Sequence, residues 1–215
     1  MRAAILSLAI VAAAVALNAQ QPARPRSRVF PPEDLGHLAP PDRDEWQQPD
    51  KIMDALGISD GNRVADVAAG GGWFTIRLAR RVGPNGRVYA EDINPIMLES
   101  IRHATEREGL RNVDRILGKT SDSGLPSGLQ AALIVDAYFY LVDPIGVLRT
   151  TAAALAPNGR LGIVDFKKDG AGGPGPELDR RIDPEVVVRA AAAAGLKLRS
   201  HETFLRYQYL LVFGK

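Results

Sequence analysis

The residues that could do chemistry are concentrated in one short segment, Asp66-Val67-Ala68-Ala69-Gly70-Gly71-Gly72. It begins in an apolar run over residues 63–67 that is typical of a buried strand. Glycines after a strand let the backbone turn tightly and let a ligand approach main-chain amides. Asp66 adds a carboxylate beside that turn. No Ser/His/Asp set or nucleophile elbow occurs, so the segment indicates ligand binding rather than hydrolysis.

A second acidic position lies at the end of the next predicted strand. That strand covers residues 87–92 and ends in Glu91-Asp92. Parallel strands place their carboxyl ends at one edge of a sheet, where ligands of open α/β sheets bind. A carboxylate at this place can accept two hydrogen bonds from ribose hydroxyls. Asp92 is the candidate, and Glu91 replaces it if the register slips by one residue. The two acidic positions therefore predict a nucleoside-containing ligand.

Two nucleoside cofactors compete for this turn. A dinucleotide site requires Gly-x-Gly-x-x-Gly, with the last glycine packing helix against strand. Thr75 occupies that last position, so the dinucleotide fingerprint fails. The motif for S-adenosylmethionine is an acidic residue in the strand and then Gly-x-Gly in the turn, which Asp66, Gly70 and Gly72 satisfy. The sequence therefore favours S-adenosylmethionine over a nicotinamide dinucleotide.

Strand and helix patterns alternate along the rest of the chain. Strands are predicted over 63–67, 87–92, 113–117, 131–135, 161–166, 196–204 and 208–213, and helices from 49 and over 73–82, 95–108, 144–156 and 184–194. Continuous apolar strands that alternate with helices predict a parallel sheet covered on both faces. The last two strands have no helix between them and must pair antiparallel.

With these motifs, the chain from Trp46 to the C-terminus resembles the class I S-adenosylmethionine-dependent methyltransferases. The resemblance implies a three-layer α/β/α Rossmann-like fold, with a mostly parallel seven-stranded sheet and its last strand antiparallel. It also implies that main chain from Ala68 through Gly70 to Gly72 cradles the methionine part of the cofactor, while Asp66 either orients that loop or reaches the amino group through water. By the same resemblance Asp92 holds the ribose hydroxyls, and Ile93 packs on the adenine.

The resemblance extends to two further loops. Gly118-Lys119-Thr120-Ser121-Asp122 matches the adenine-binding loop, but Lys119 stands where many members carry Asp. Asp122 is then the candidate for the adenine amino group. Asp136, in the run 135–138, matches the end of the fourth strand beside the transferring methyl. Tyr138 and Tyr140 either line a substrate pocket or cover the edge of the sheet.

Two departures bear on catalysis. Many relatives begin the fourth strand with an acidic residue, where this chain has Gln130. Many small-molecule methyltransferases of this type have a His pair where this chain has Phe139-Tyr140. A phenol with a pKa of about 10 does not normally serve as a base near neutral pH. No catalytic residue is therefore assigned, and two functions stay open: methyl transfer to a small-molecule acceptor, or non-catalytic binding of S-adenosylmethionine or a related nucleoside by an exported protein.

The composition of the chain limits the classes of molecule that it is expected to bind. The chain has 215 residues, a formal net charge of +2 and no cysteine. Without a strong basic field we expect no nucleic-acid partner. Without cysteine, and with His37, His103 and His201 scattered, we expect no metal site. A chain this short carries no extra recognition domain, so a small-molecule acceptor is favoured.

The N-terminus is predicted to be a targeting segment. One positive charge precedes an apolar run over residues 3–17 that is short for a membrane span, which needs about 17–25 residues. Residues 1–19 therefore indicate a signal peptide. Residues 20–44 are predicted to be a Pro-rich linker arm and residues 45–215 the methyltransferase domain. We expect an exported protein without stable membrane association once the leader is cleaved.

Overall fold

A single seven-stranded sheet organises the protein. The computed structural model describes residues 40–169 and 173–215. The strands are β1 (Arg63–Val67), β2 (Arg87–Asp92), β3 (Val113–Leu117), β4 (Leu129–Val135), β5 (Leu155–Phe166), β6 (Lys197–Glu202) and β7 (Gln208–Gly214). They lie in the order β3-β2-β1-β4-β5-β7-β6, and β7 alone runs against its neighbours. The predicted fold, including the antiparallel last strand, is confirmed.

Helices cover both faces of the sheet. They are α1 (Arg43–Gln47), α2 (Pro49–Ala55), α3 (Trp73–Val82), α4 (Pro95–Arg107), α5 (Pro144–Ala154) and α6 (Pro184–Ala193). Apolar side chains of α2, α3 and α4, such as Ile52, Leu78 and Ile101, pack on one face. Leu148 of α5 and Val187 of α6 pack on the other. Burial on both faces is the reason that the central strands are apolar throughout.

Local signals fix where the helices begin. Pro is the first residue of α4, α5 and α6, where its missing N–H costs no hydrogen bond. The side chains of Asn94, Asp143 and Asp183 precede them and accept from backbone amides of the first turn. The predicted starts of these three helices are therefore correct.

The region around β5 differs from the prediction. Helix α5 ends at Ala154 rather than at residue 156, and β5 begins at once with Leu155. Pro157, Asn158 and Gly159 lie inside β5, where the pairing with β4 shifts register. A Cβ at Gly159 would lie 2.6 Å from the carbonyl oxygen of Leu129. The turn-forming triplet thus makes a bulge within the strand instead of separating helix from strand.

The predicted signal peptide and most of the predicted arm lie outside the described residues. Within residues 40–169 and 173–215, no helix is long and apolar enough to cross a membrane. Residues 43 and 44, the predicted end of the arm, belong to α1. The described chain thus already contacts the domain before residue 45.

Helix α1 attaches to the sheet through a buried ion pair. The Nη2 atom of Arg43 lies 2.7 Å from Oδ2 of Asp136, which follows β4. Gln47 Nε2 donates to the same oxygen at 3.0 Å, and Gln208 of β7 donates to Oδ1. Arg43 is only 6% exposed. Burial removes both charges from water, so each depends on the other for compensation.

A second set of contacts holds the exposed side of α1. The guanidinium groups of Arg43 and Arg77 lie 4.1 Å and 3.4 Å from the ring centroid of Trp73. Arg77 also donates from Nε and Nη2 to the carboxylate of Asp44, at 2.7 Å and 2.6 Å. The side chain of Asp44 is 59% exposed, so this pair contributes less than the buried one.

Asp165, at the end of β5, is a buried acid that forms no salt bridge with the described residues, although the charge of Arg181 lowers its pKa slightly. Its Oδ1 accepts from the backbone amide of Phe166 at 2.7 Å, while Oδ2 is buried with no hydrogen-bond partner. Burial, followed by the nearby charge of Asp136, raises its pKa to about 8. The acid is therefore mostly protonated at neutral pH.

Replacing Arg43 by Met should destabilise the protein by roughly 3–5 kcal/mol, because the carboxylate of Asp136 is left buried and unpaired. Asp44→Asn removes the exposed pair and should cost at most about 1 kcal/mol. Urea unfolding of both variants measures these values. In a double-mutant cycle, Asp136→Asn should recover part of the loss caused by Arg43→Met. Equal costs for Arg43→Met and Asp44→Asn would contradict the assigned ion pair.

Asp165→Asn should change how stability depends on pH. A free Asp has a pKa near 3.9, whereas the folded value is about 8, so protonation stabilises the fold fully below pH ~4. That contribution falls as pH rises towards 8, by up to about 1.4 kcal/mol per unit. The Asn variant lacks this loss. Its unfolding free energy relative to wild type, measured in urea at pH 5, 6, 7 and 8, should increase with pH. A constant difference would refute the assignment.

Candidate functional site

A cavity of about 620 Å³ opens at the carboxyl ends of β1, β2 and β4. Strand order reverses between β1 and β4, and this switch point is where open α/β sheets bind ligands. The cavity has the size of a small-molecule site, for which about 300–1,000 Å³ is usual. Its lining includes the whole turn from Ala68 to Gly72.

The turn after β1 has a fixed left-handed shape. Ala68, Gly70 and Gly72 have φ angles of 54°, 55° and 84°. Ala68 thus adopts a conformation that favours glycine, at a cost of roughly 1–2 kcal/mol. Glu91 holds it there, because its Oε2 accepts from the amide of Ala68 at 3.1 Å and its carbonyl accepts from Ala69 at 2.8 Å.

Gly72 joins this turn to α3. A Cβ at Gly72 would lie 2.9 Å from Cγ1 of Ile101 in α4. Glycine therefore provides both the positive φ and the close approach of α3 to α4. The N-terminus of α3, with its unpaired amides and positive dipole end, faces the cavity through the lining residues Gly72 and Trp73.

Asp66 lies in β1 beneath the turn. Its Oδ2 accepts from the hydroxyl of Thr75 at 2.6 Å, and the residue is buried. Burial is the main cause that raises its pKa to about 6, opposed by that hydrogen bond and by Arg43. Thr75 is the residue that breaks the dinucleotide fingerprint. In this structure its hydroxyl donates to Asp66 instead.

Asp92 is held by backbone amides on both oxygens. Oδ1 accepts from Asn94 at 2.8 Å and Oδ2 from Gly70 at 2.9 Å. Burial raises its pKa, and the amide hydrogen bonds oppose that rise. A carboxylate oxygen has more than one acceptor position, so both oxygens can still accept from ligand hydroxyls. Ile93 lines the cavity beside it.

Two predicted residues do not reach the cavity. Asp122 is not among its lining residues, and Oδ1 of Asp122 accepts from the amide of Gly124 at 2.9 Å within a turn. Lys119 and Thr120 of the same loop line the cavity instead. Tyr138 is buried in the core between the sheet and α5, where its hydroxyl has no hydrogen-bond partner. The structure therefore places neither Asp122 nor Tyr138 where it would contact a ligand.

Asp136 and Tyr140 do line the cavity, but Asp136 does not offer a free carboxylate. Its oxygens accept from Arg43, Gln47 and Gln208. Asp136 also has a φ of 56°, a strained value for a residue other than glycine. The three donors hold that strained turn at the end of β4, so the role of Asp136 is to shape the wall.

Sequence reasoning missed Arg43 as a site residue and gave Glu91 only as an alternative to Asp92. Arg43, Trp73 and Glu91 all line the cavity. Arg43 lay in the predicted arm, and its partner Asp136 is 93 residues away. No local pattern marks such a contact. The sequence did give a signal for Glu91. Burying a charged side chain in a strand costs free energy unless the charge has a partner, so its presence there indicates a specific role.

The main-chain and carboxylate groups that line the cavity fit S-adenosylmethionine. Positive φ angles at Ala68, Gly70 and Gly72 turn main chain towards the ligand. Asp92 presents carboxylate oxygens for ribose hydroxyls, and Asp66 contributes negative charge near the cationic amino and sulfonium groups. Among the described residues, no His, Cys, Asp or Glu cluster could hold a metal ion.

The chain is similar in sequence to known methyltransferases. The model of the ubiE/COQ5 methyltransferase family matches residues 41–171. The ubiquinone/menaquinone biosynthesis C-methyltransferase UbiE of Pasteurella multocida is 31% identical over 118 residues, which are 54% of this chain and 44% of that protein. The aklanonic acid methyltransferase DauC of Streptomyces sp. is 32% identical over 113 residues, 52% of this chain and 51% of that protein. The chain spans about half the length of these curated relatives.

Solved structures agree on the fold. A SAM-dependent methyltransferase from Aquifex aeolicus superimposes with a TM-score of 0.80 at 24% identity, over 86% of this chain and 98% of that one. The [4+2]-cyclase SpnF gives a TM-score of 0.66 at 16% identity, over 79% and 80% of the two chains. These likenesses establish the architecture. The family match covers more than half of the chain and includes the cavity, and the chain therefore belongs to the ubiE/COQ5 methyltransferase family.

Proposed function

We propose that the protein transfers a methyl group from S-adenosylmethionine to a small-molecule acceptor. The observation that carries the proposal is the family match over residues 41–171, which contains the glycine turn, Asp92 and the end of β4. The cavity at the switch point supports it, because its glycine turn and ribose-side carboxylate lie where a nucleoside cofactor binds in such sheets.

Bound S-adenosylmethionine supplies a methyl group on a positively charged sulfur. The acceptor's electron pair forms the new bond to the methyl carbon, the carbon–sulfur bond breaks, and sulfur keeps that bond's electrons. The acceptor's proton leaves to water. This displacement depends on in-line placement, which binding alone can supply. The chain's part is to fix the cofactor through the turn and Asp92, and to hold the acceptor against the methyl.

The acceptor side favours an apolar molecule. Trp73 and Tyr140 line the cavity, Arg43 stacks 4.1 Å from the Trp73 ring, and Arg43 neutralises Asp136. With no free base among these side chains, an acceptor that ionises readily by itself is favoured. The relatives' names include C-methyltransferase and aklanonic acid methyltransferase. We therefore propose an aromatic or enolisable acceptor that is methylated on an activated carbon.

Export remains part of the proposal. The apolar run over residues 3–17, with a charge before it and Ala19 after it, supports a cleaved leader. Fractionation of cells that express the full chain, with mass analysis of its N-terminus, tests this. A mature protein that starts near residue 20 outside the cytosol supports export. An intact N-terminus in the cytosol contradicts it.

S-adenosylhomocysteine should raise the melting temperature of the protein by several degrees at about 100 times its Kd, whereas NAD should not. Asp92→Asn should weaken binding about tenfold or more, because the amide nitrogen cannot accept from a ribose hydroxyl. Glu106→Gln, an exposed acid on α4, is the matched control and should bind as wild type does. Isothermal titration calorimetry measures the affinities.

Turnover is tested separately, by the release of S-adenosylhomocysteine from S-adenosylmethionine with a panel of phenols and enolisable carbon acids. Release that depends on an acceptor supports the proposed activity. Binding without release across the panel would favour the alternative of a non-catalytic binding protein. One solved structure of this fold is described as a [4+2]-cyclase, so binding alone does not establish methyl transfer.

A further inference from the structure

Two buried acids at the end of β2, Glu91 and Asp92, line the cavity, and only Asp92 is assigned to the ribose. Along β2, Val88 and Ala90 pack towards α3 and α4, while Tyr89 packs towards α5. Because side chains alternate along a strand, Glu91 points to the same face as Tyr89. On that face Leu141 and Val147 pack in the same apolar cluster as Tyr89, and both line the cavity. A flat, largely apolar base fits such a lobe.

The two oxygens of Glu91 have different surroundings. Oε2 accepts from the amide of Ala68 at 3.1 Å. Oε1 lies against Gly118, where a Cβ would overlap it, so glycine at 118 leaves room for the carboxyl group. Glu91 is 3% exposed and lines the cavity. Among the contacts of the described residues, Oε1 receives no hydrogen bond and is paired with no cation.

Asp122, which was expected to bind the adenine amino group, does not line this lobe. Lys119 occupies the position that carries Asp in many methyltransferases, and Asp122 lies outside the cavity. Lys119 and Thr120 are exposed at the rim. Glu91 is a buried polar side chain of the cavity lining that strand alternation places on the same face as Tyr89 and the apolar lobe.

We propose that Glu91 recognises the purine base of the cofactor by donating a hydrogen bond from Oε1 to a ring nitrogen. This inference rests on the proposed function, since it assigns a base-reading residue to the same site. The geometry fixes which oxygen carries the proton when the carboxyl group is protonated. Oε2 is bonded to an N–H group and must accept, so a proton on the carboxyl group lies on Oε1.

The protonation state agrees with that direction. Burial is the largest cause that raises the pKa of Glu91 to about 8, and the amide of Ala68 opposes the rise. The charges that face it are the acids Asp92, Asp66 and Asp122, all of which raise the pKa further. A neutral carboxyl group at physiological pH is a donor as well as an acceptor.

The test is the affinity of S-adenosylhomocysteine for three forms of the full chain, measured by calorimetry at pH 7. Glu91→Gln keeps an acceptor for Ala68 and a donor towards the base, so it should bind within about threefold of wild type. Glu91→Leu removes the donor and should bind about tenfold or more weakly. Glu106→Gln is the matched control. Glu91→Met replaces Glu91→Leu if the latter does not fold.

Ligand analogues separate base recognition from support of the turn. The loss caused by Glu91→Leu should disappear for one of the 1-deaza, 3-deaza and 7-deaza analogues of S-adenosylhomocysteine, namely the one that lacks the bonded nitrogen. S-ribosylhomocysteine, which has no base, should bind wild type and Glu91→Leu equally. Glu91 would then read the base rather than only shape the Ala68 turn.

Three results would overturn the inference. They are an equal loss for Glu91→Gln and Glu91→Leu, a loss that persists with every deaza analogue, and an equal loss with S-ribosylhomocysteine. Each leaves Glu91 with a structural role only. If wild type itself does not bind S-adenosylhomocysteine, the proposed function fails as well, so the two failures are distinguishable.

Discussion

Acidic side chains meet at one edge of the sheet, and the structure depends on keeping their charges compatible. Asp66, Asp92, Asp136 and Asp165 stand at or near the carboxyl ends of four neighbouring strands, and burial raises the pKa of each. Unpaired charges so close together in a buried region would oppose folding. Each acid therefore has its own compensation. Thr75 binds Asp66, backbone amides bind Asp92, Arg43 binds Asp136, and Asp165 takes up a proton.

The same compensation prepares the site for a cation. The turn after β1 is held by backbone and side-chain contacts to Glu91 and Asp92, so it needs no ligand to take its shape. The acids that remain negative create a favourable field for a positively charged sulfonium or ammonium group. Arg43 supplies one internal positive charge at the end of β4, where we propose that the acceptor binds. The part of the cavity proposed to hold the methyl donor is therefore acidic, whereas the part proposed to hold the methyl acceptor is nearly neutral.

Local signals predict the strands, the mostly parallel sheet and the turn, whereas the seven-stranded arrangement is predicted from the family resemblance. Apolar runs mark the strands, and Pro, Asn and Asp mark the helix starts. Bulges and long-range contacts have no such signal. Pro157 to Gly159 read as a stop but lie within β5, since pairing with β4 continues around them. Side-chain direction in irregular loops is equally hidden, so the sequence placed Asp122 at the cavity and left two positions open for Tyr138, whereas neither residue lines the cavity.

Asp136 also ties the site to folding of the whole domain. Its partners Arg43 and Gln208 come from opposite ends of the described chain, in α1 and β7. The family match reaches from residue 41 to 171 and so includes Arg43 but not Gln208. Strand β7 must insert between β5 and β6 before Gln208 can reach the carboxylate. The strained turn at Asp136 therefore has its full set of side-chain donors only when α1 and the last strand are both in place.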